Sequence, residues 1–272
     1  MMNLSLGQYD FSILLNDARV IDDEIVYPHK HSYEVMKLFQ ARYELYKSIY
    51  NHLTVHSIEI ILCDVLMAAH KVLYDFEQTI WDPEVYTRLT DNVIYEIKVS
   101  DDPRLAKAQA LIKRLNRREF YPYVGEVIFG SESMASGQKG KELYSRITEK
   151  DVVACAQQDG YGLTLREEDI ALRKYKLNFA QGDKSPFDNV KFYRAPNFDH
   201  AALVDQYSVS MITPKNFQEH ILRLFVKDPA KFEIADRAFK KLARDMIGME
   251  VVVGKTQSGS VRRTTDQGLS QI

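Results

Sequence analysis

The chain contains only two cysteines, Cys63 and Cys155, and its start, MMNLSLGQYDFSILLND, has no basic segment followed by an apolar run. Those two absences exclude a disulfide-stapled secreted domain and point to a reduced, intracellular protein of the nucleus or cytoplasm. Neither cysteine has the neighbours of a nucleophile, so both are expected to be packing residues. A membrane-length apolar run is also missing. The most apolar segment, IEIILCDVLMAA, is interrupted by Glu59 and Asp64 and predicts a buried core helix. Charge of one sign is not in excess either: 36 Lys and Arg face 38 Asp and Glu, for a net charge of -2. That balance gives no whole-molecule attraction to nucleic acid or an anionic membrane, so any anion site must be local. GSESMASGQKG lacks the strand-to-helix setting and the Lys-Ser/Thr ending of a phosphate-cradling loop.

What is present is enough apolar content, 45% of 272 residues, to bury a substantial core. HSYEVMKLFQARYELYKSIYNHLTVHSIEIILCDVLMAAHKVL predicts one or two long helices, with no internal Pro or Gly. Asp82-Pro83 and Asp101-Asp102-Pro103 are helix-start signals, because carboxylates favour the positive helix end and Pro is tolerated in its first turn. Residues 31–120 are therefore expected to be mostly α. After YPYVGE the composition changes, and GSESMASGQKGKEL is expected to be a mobile loop. KYKLNFA and NVKFYR alternate as strands do, while PKNFQEHILRLFVK and PAKFEIADRAFKKLARDM carry helical spacing. The expected architecture is a mainly α first lobe over residues 1–125, a smaller α+β lobe over 126–250, and a disordered tail over 251–272.

Along the first long helix, Phe39, Tyr43, Tyr46, Ile49, Tyr50 and Leu53 fall on one broad stripe with Arg42 on its margin, and such a stripe faces a core or a pocket. His52 and His56 are four apart, a spacing that can serve one metal. The central Glu of such motifs is absent, and polar packing is the expected reading. His29 and His31 in PHKH are read as a solvated loop, and Asp199-His200 in FDHAA as a surface turn. Lys113, Arg114, Arg117 and Arg118 gather at a helix end, where they either offset the helix dipole or bind phosphate. Arg194 is a lone cation at a strand end.

The blocks YDFSILLNDARV, VMKLFQARYELYKSIYNH, YTRLTDNVIYEI, DPRLAKAQALIKRLNRREFYPYVGE, SPFDNVKFY and ITPKNFQEHILRLF occur in an order that resembles the C-terminal two-thirds of the sterile-alpha-motif and HD-domain deoxynucleoside triphosphate triphosphohydrolases. Arg42, Tyr46, Tyr50 and His52 reproduce a pattern of that family. The resemblance implies a partial HD-domain-like helical core that works on deoxynucleoside triphosphates, releasing the whole triphosphate. It also implies a homo-oligomer, dimer or tetramer. In the full-length family, a divalent metal (magnesium, manganese, iron or zinc) held by His and Asp ligands activates the water. No His-Asp pair occurs in this sequence, so the expectation is a chain that carries no metal ligands of its own and is inactive alone, as a gene fragment or natural short form.

By the same resemblance Arg42 is a phosphate-contacting position, Tyr50 a substrate-contacting one, and Asn51 stands where the family has Gln. Asp10, Lys30, His52 and Arg118 match positions that bind activating nucleotides between subunits. Ser48, Leu53, Pro28 and Pro122 stand where the family has Arg or Lys. Charge-assisted contacts are worth roughly 1.5–3 kcal/mol each, so nucleotide-driven assembly is expected to be weakened. A non-catalytic nucleotide-binding or oligomerising scaffold is the alternative. Nucleic-acid binding, associated with the family, gains no support from the net charge.

Overall fold

The computed structural model describes residues 11–129, 138–158, 164–247 and 251–252. It is a mixed α/β structure with two sheets. A short helix α1 (Ser12–Asp17) leads into the hairpin β1 (Arg19–Ile21) and β2 (Glu24–Pro28). Ile21 pairs with Glu24, and the two loop residues, Asp22 and Asp23, sit at φ 53° and 61°. Two left-handed residues in a two-residue loop match the right-handed twist of the strands they join.

The long helical stretch is two helices. α2 (Ser32–Leu45) runs into a π-turn (Tyr46–Tyr50), and α3 (Leu53–Ala69) follows at an angle of 57°. Short helices α4 (Phe76–Thr79), α5 (Pro83–Tyr86) and α6 (Val93–Val99) then lead to α7 (Ala106–Asn116). Both predicted Asp-Pro starts are present. Asp82 Oδ1 accepts the amides of Glu84 and Val85 at 3.0 and 3.2 Å, and Asp102 Oδ1 accepts that of Arg104 at 2.9 Å.

From residue 123 the elements are β3 (Tyr123–Phe129), α8 (Gln138–Arg146), α9 (Glu149–Gln158), β4 (Ile170–Asn178), β5 (Lys191–Arg194), β6 (Asn197–Leu203), α10 (Gln206–Val209), β7 (Gln218–Val226) and α11 (Phe232–Leu242). One sheet is ordered β3-β7-β4, all antiparallel, and the other β1-β2-β5-β6 with β2 and β5 parallel. The second sheet thus joins strands from both sides of residue 125.

β7 is the centre of the molecule. Leu222, Leu224 and Val226 share a core with Val152 and Ala156 of α9 and Ile234, Ala238, Phe239 and Leu242 of α11. On the alternate face, Phe225 packs among Ile61 and Val65 of α3, Ile97 of α6 and Ile112 of α7. Helices therefore cover the sheet on both sides.

Several expectations are corrected here. HILRLFV is a strand, not a helix: with both faces buried its sequence has no polar alternation, and a continuous apolar run cannot be told from a helix by period alone. FDHAA lies in β6, an exposed edge strand, rather than in a turn. In GSESMASGQKGKEL the part from Gln138 is helical, and residues 130–137 lie outside the described residues. Of the expected tail, Val251 and Val252 are described: Val252 exchanges backbone hydrogen bonds with Glu126 at 2.8 and 3.2 Å. Among the described residues no single helix is long and apolar enough to cross a membrane.

Candidate functional site

Arg42, Tyr46 and Tyr50 stand four residues apart, a helical spacing that stacks their side chains into a ladder. The Arg42 guanidinium lies 4.5 Å over the Tyr46 ring, and the Tyr46 and Tyr50 ring centroids are 5.1 Å apart. One donor of Arg42, Nη1, is held by the Asn178 carbonyl at the end of β4, at 2.9 Å. A guanidinium has five N–H donors in a rigid fork, so this single bond orients the group and leaves the rest of the fork for an anion. Tyr50 is 59% exposed and Tyr46 41%. The stripe on this helix therefore divides. Its Arg-Tyr ladder faces water, while Phe39 and Tyr43 line an apolar cavity of about 380 Å³ with Phe179, Phe187 and Phe217. Tyr43 stacks on Phe179 at 4.9 Å, and its hydroxyl donates to Glu219 at 2.8 Å.

The junction between α2 and α3 is fixed by a buried polar network centred on Arg223 of β7. Arg223 Nε and Nη2 donate to Glu126 Oε2 at 2.9 and 2.7 Å, and Nη1 lies 2.8 Å from the Asn51 carbonyl and 3.0 Å from His56 Nδ1. His56 Nε2 is 3.1 Å from Asn51 Oδ1, and Asn51 Nδ2 donates to the Tyr46 carbonyl at 2.8 Å. Burial, then the Arg223 and Arg173 charges, push the His56 pKa down to about 4. Asn51 thereby closes the π-turn that carries Tyr46 and Tyr50 and ties it to the sheet.

His52 is the N-cap of α3, with Nδ1 accepting the Thr54 amide at 3.2 Å. Both His56 nitrogens are engaged within the network. The pair therefore does not fit the divalent metal that the resemblance implies, and no step through a metal is assigned to this junction.

The remaining positions are dispersed. Lys30 pairs with Asp17 at 2.9 Å, and Asp17 also takes His31 at 2.8 Å. Arg118 is an exposed residue at φ 60° after α7. Among the described residues no hydrogen bond or ion pair joins Lys30 or Arg118 to Arg42 or Tyr50. Asp10 lies outside the described residues. Of the basic cluster, Arg114 is structural: it lies 4.8 Å over Tyr121 and donates to the carbonyls of Glu119 and Lys227. Arg194 is exposed and contacts His29. Cys155 is buried, whereas Cys63 is exposed rather than packed.

The chain is 29% identical over 236 residues to the Dictyostelium discoideum deoxynucleoside triphosphate triphosphohydrolase SAMHD1 homolog, covering 87% of this chain and 43% of that protein. It is 28% identical over 236 residues to Homo sapiens deoxynucleoside triphosphate triphosphohydrolase SAMHD1, covering 81% and 37%. Its homologues are SAMHD1-type triphosphohydrolases. An HD domain-containing protein of Acanthamoeba polyphaga mimivirus is 24% identical over 251 residues, 86% of this chain and 51% of that protein. The chain spans about half or less of the length of these SAMHD1-type and HD-domain relatives. No protein-family profile matches it.

Reasoning from the sequence missed the Arg223 network. Its signal was the Arg in the middle of HILRLFV and the Glu in YVGEVIF, each a charge inside an apolar run. The register places Glu126 opposite Arg223.

Proposed function

We propose that this chain is part of an HD-family deoxynucleoside triphosphate triphosphohydrolase, in which α2 forms a wall of the nucleotide site. Its homologues carry that activity in their names, and the observation that carries the reading in this chain is the Arg42 fork, anchored at Asn178 and stacked on Tyr46, whose ring in turn meets the exposed Tyr50. Arg42 donates to triphosphate oxygens, and Tyr50 supplies a ring face and a hydroxyl to the nucleotide. Asn51 holds the π-turn, so its shorter side chain serves the scaffold rather than the substrate. Lys30, His52 and Arg118, with Asp10, would contact a second nucleotide only where subunits bring them together.

The reaction converts a deoxynucleoside triphosphate and water into a deoxynucleoside and triphosphate. Within residues 1–272 the water-activating ligand set is not present as a His-Asp pair, so we assign this chain the positioning of the triphosphate and no part in activating water.

Binding of deoxyguanosine triphosphate to the purified chain, followed by calorimetry and phosphorus NMR, tests the reading. Saturable binding that weakens at least about tenfold in Arg42→Ala and in Tyr50→Ala is expected. Binding that is absent, or indifferent to both substitutions, refutes it.

A non-catalytic, oligomerising scaffold is a second reading, favoured by one observation: Ile212, which lines the apolar cavity, and its neighbour in sequence Met211 are 91% and 82% exposed. On that reading the chain sediments as a dimer or larger species, and Met211→Ser with Ile212→Ser returns it to a monomer. A monomer at micromolar concentration in the unsubstituted protein removes this second reading.

A further inference from the structure

The C-terminal end of α3 brings together three metal-ligating side chains that neither the nucleotide site nor the packing accounts for. His70 is the C-cap of α3, and the chain turns back at once: Lys71 adopts φ 61°, its amide donates to the Tyr74 carbonyl at 2.8 Å, and His70 bridges to Tyr74. That turn sets Asp75, the N-cap of α4, and Glu77, in its first turn, beside His70. One ligand atom from each of the three lies within 4.8 Å of the others. The His70 ring is aligned by stacking on Phe76, with centroids 5.9 Å apart.

Three further observations separate this group from an ordinary acidic surface. Among the described residues the ring nitrogens of His70 and the carboxylate of Glu77 have no hydrogen-bonding or ion-pair partner, and the carboxylate of Asp75 accepts only a long 3.4 Å capping contact from the Gln78 amide. Among the described residues no Lys or Arg pairs with either carboxylate, so a cation between Asp75 and Glu77 would meet no competing positive charge. The group also sits where the unsatisfied carbonyls of a 17-residue helix concentrate negative potential.

We propose that His70, Asp75 and Glu77 bind one divalent transition-metal ion and that the ion ties the end of α3 to α4. An imidazole with two carboxylates suits zinc, cobalt or manganese better than the all-oxygen preference of calcium or magnesium. Zinc bonds of roughly 2.0–2.2 Å require the three atoms to draw together, chiefly by rotation of the exposed Glu77 side chain towards the half-buried His70 and Asp75. Water completes the coordination. The site is separate from the Arg42 wall, because α3 extends roughly 25 Å between them at 1.5 Å per residue.

The test uses the full chain freed of metal with a chelator. Zinc is titrated by calorimetry and cobalt by visible absorption, with His70→Ala, Asp75→Asn and Glu77→Gln compared and circular dichroism confirming that each variant keeps its helices. One equivalent of metal is expected, with a cobalt spectrum showing nitrogen and oxygen ligation, and each substitution weakens binding by about tenfold or more. Zinc also raises the unfolding temperature of the unsubstituted chain and not that of His70→Ala. The proposal is overturned if no saturable binding occurs below millimolar metal, or if binding is unchanged in the three variants. Asp75→Asn keeps a capping oxygen, so it separates loss of metal from loss of fold.

Discussion

Arg223 Nη1 lies 3.0 Å from His56 Nδ1. A guanidinium can only donate, so Nδ1 is the acceptor, the imidazole is neutral, and its proton on Nε2 is directed to Asn51 Oδ1. This one contact sets the tautomer of His56 and, through Asn51, the geometry of the turn bearing Tyr46 and Tyr50.

His56 therefore makes stability depend on pH. Its folded pKa, about 4, is below the ordinary value of 6.5, so between these values the unfolded chain binds more protons than the folded one. The stabilisation is complete above pH 6.5 and is lost as the pH falls towards 4. Denaturant titration should show this residue contributing a loss of roughly 2 kcal/mol over that range, less than the full shift implies because water reaches the edge of the network at Glu126. Gln can accept from Arg223 and donate to Asn51 but does not titrate, so His56→Gln flattens the profile. An unchanged slope in that variant contradicts the assignment.

The Arg223–Glu126 pair is nearly out of water, with 7% and 17% of the side chains exposed. Removing one partner from such a pair costs about 3–5 kcal/mol, since the other charge stays buried. Glu126→Ala and Arg223→Ala should each lower stability by about that much, and the double variant should cost clearly less than their sum. Additive losses in a double-mutant cycle would show that the two charges are not coupled.

Gly125 lies at a register shift in β3, where a Cβ would overlap Val251 Cγ1. Gly125→Ala should cost about 1–3 kcal/mol by overpacking, and Val251→Ala in the same chain should restore part of it. Equal unfolding temperatures for Gly125→Ala and the unsubstituted chain would mean that Val251 does not pack against β3.

The sequence made legible those elements whose burial is one-sided. α2, α3, α7 and α11 each show a helical period, and the Asp-Pro starts announce themselves chemically. β7 carries a helix-like pattern in sequence because helices cover both its faces and remove the alternation that marks a half-buried strand. β1 and β2 are too short for periodicity to register. In the site, the helical spacing of Arg42, Tyr46 and Tyr50 is legible, but period alone does not separate their exposed ladder from the stripe of Phe39 and Tyr43 that lines the cavity. Asn51 and Arg223 are 172 residues apart in sequence, and only strand register brings them together. His70, Asp75 and Glu77 were missed because a left-handed turn at Lys71, not a periodic spacing, makes them neighbours.

That Arg42 orients a triphosphate for hydrolysis is the proposal on which the assigned function rests. It is tested most directly by mixing this chain with the segment of the Dictyostelium relative that it does not cover, and measuring triphosphate released from deoxyguanosine triphosphate with a divalent metal. The mixture is expected to release triphosphate above the sum of its parts, and Arg42→Ala should abolish the gain while leaving the complex intact by sedimentation. A complex that forms and whose rate is the same with Arg42→Ala would contradict the claim and leave the Arg-Tyr ladder as a solvated helix face.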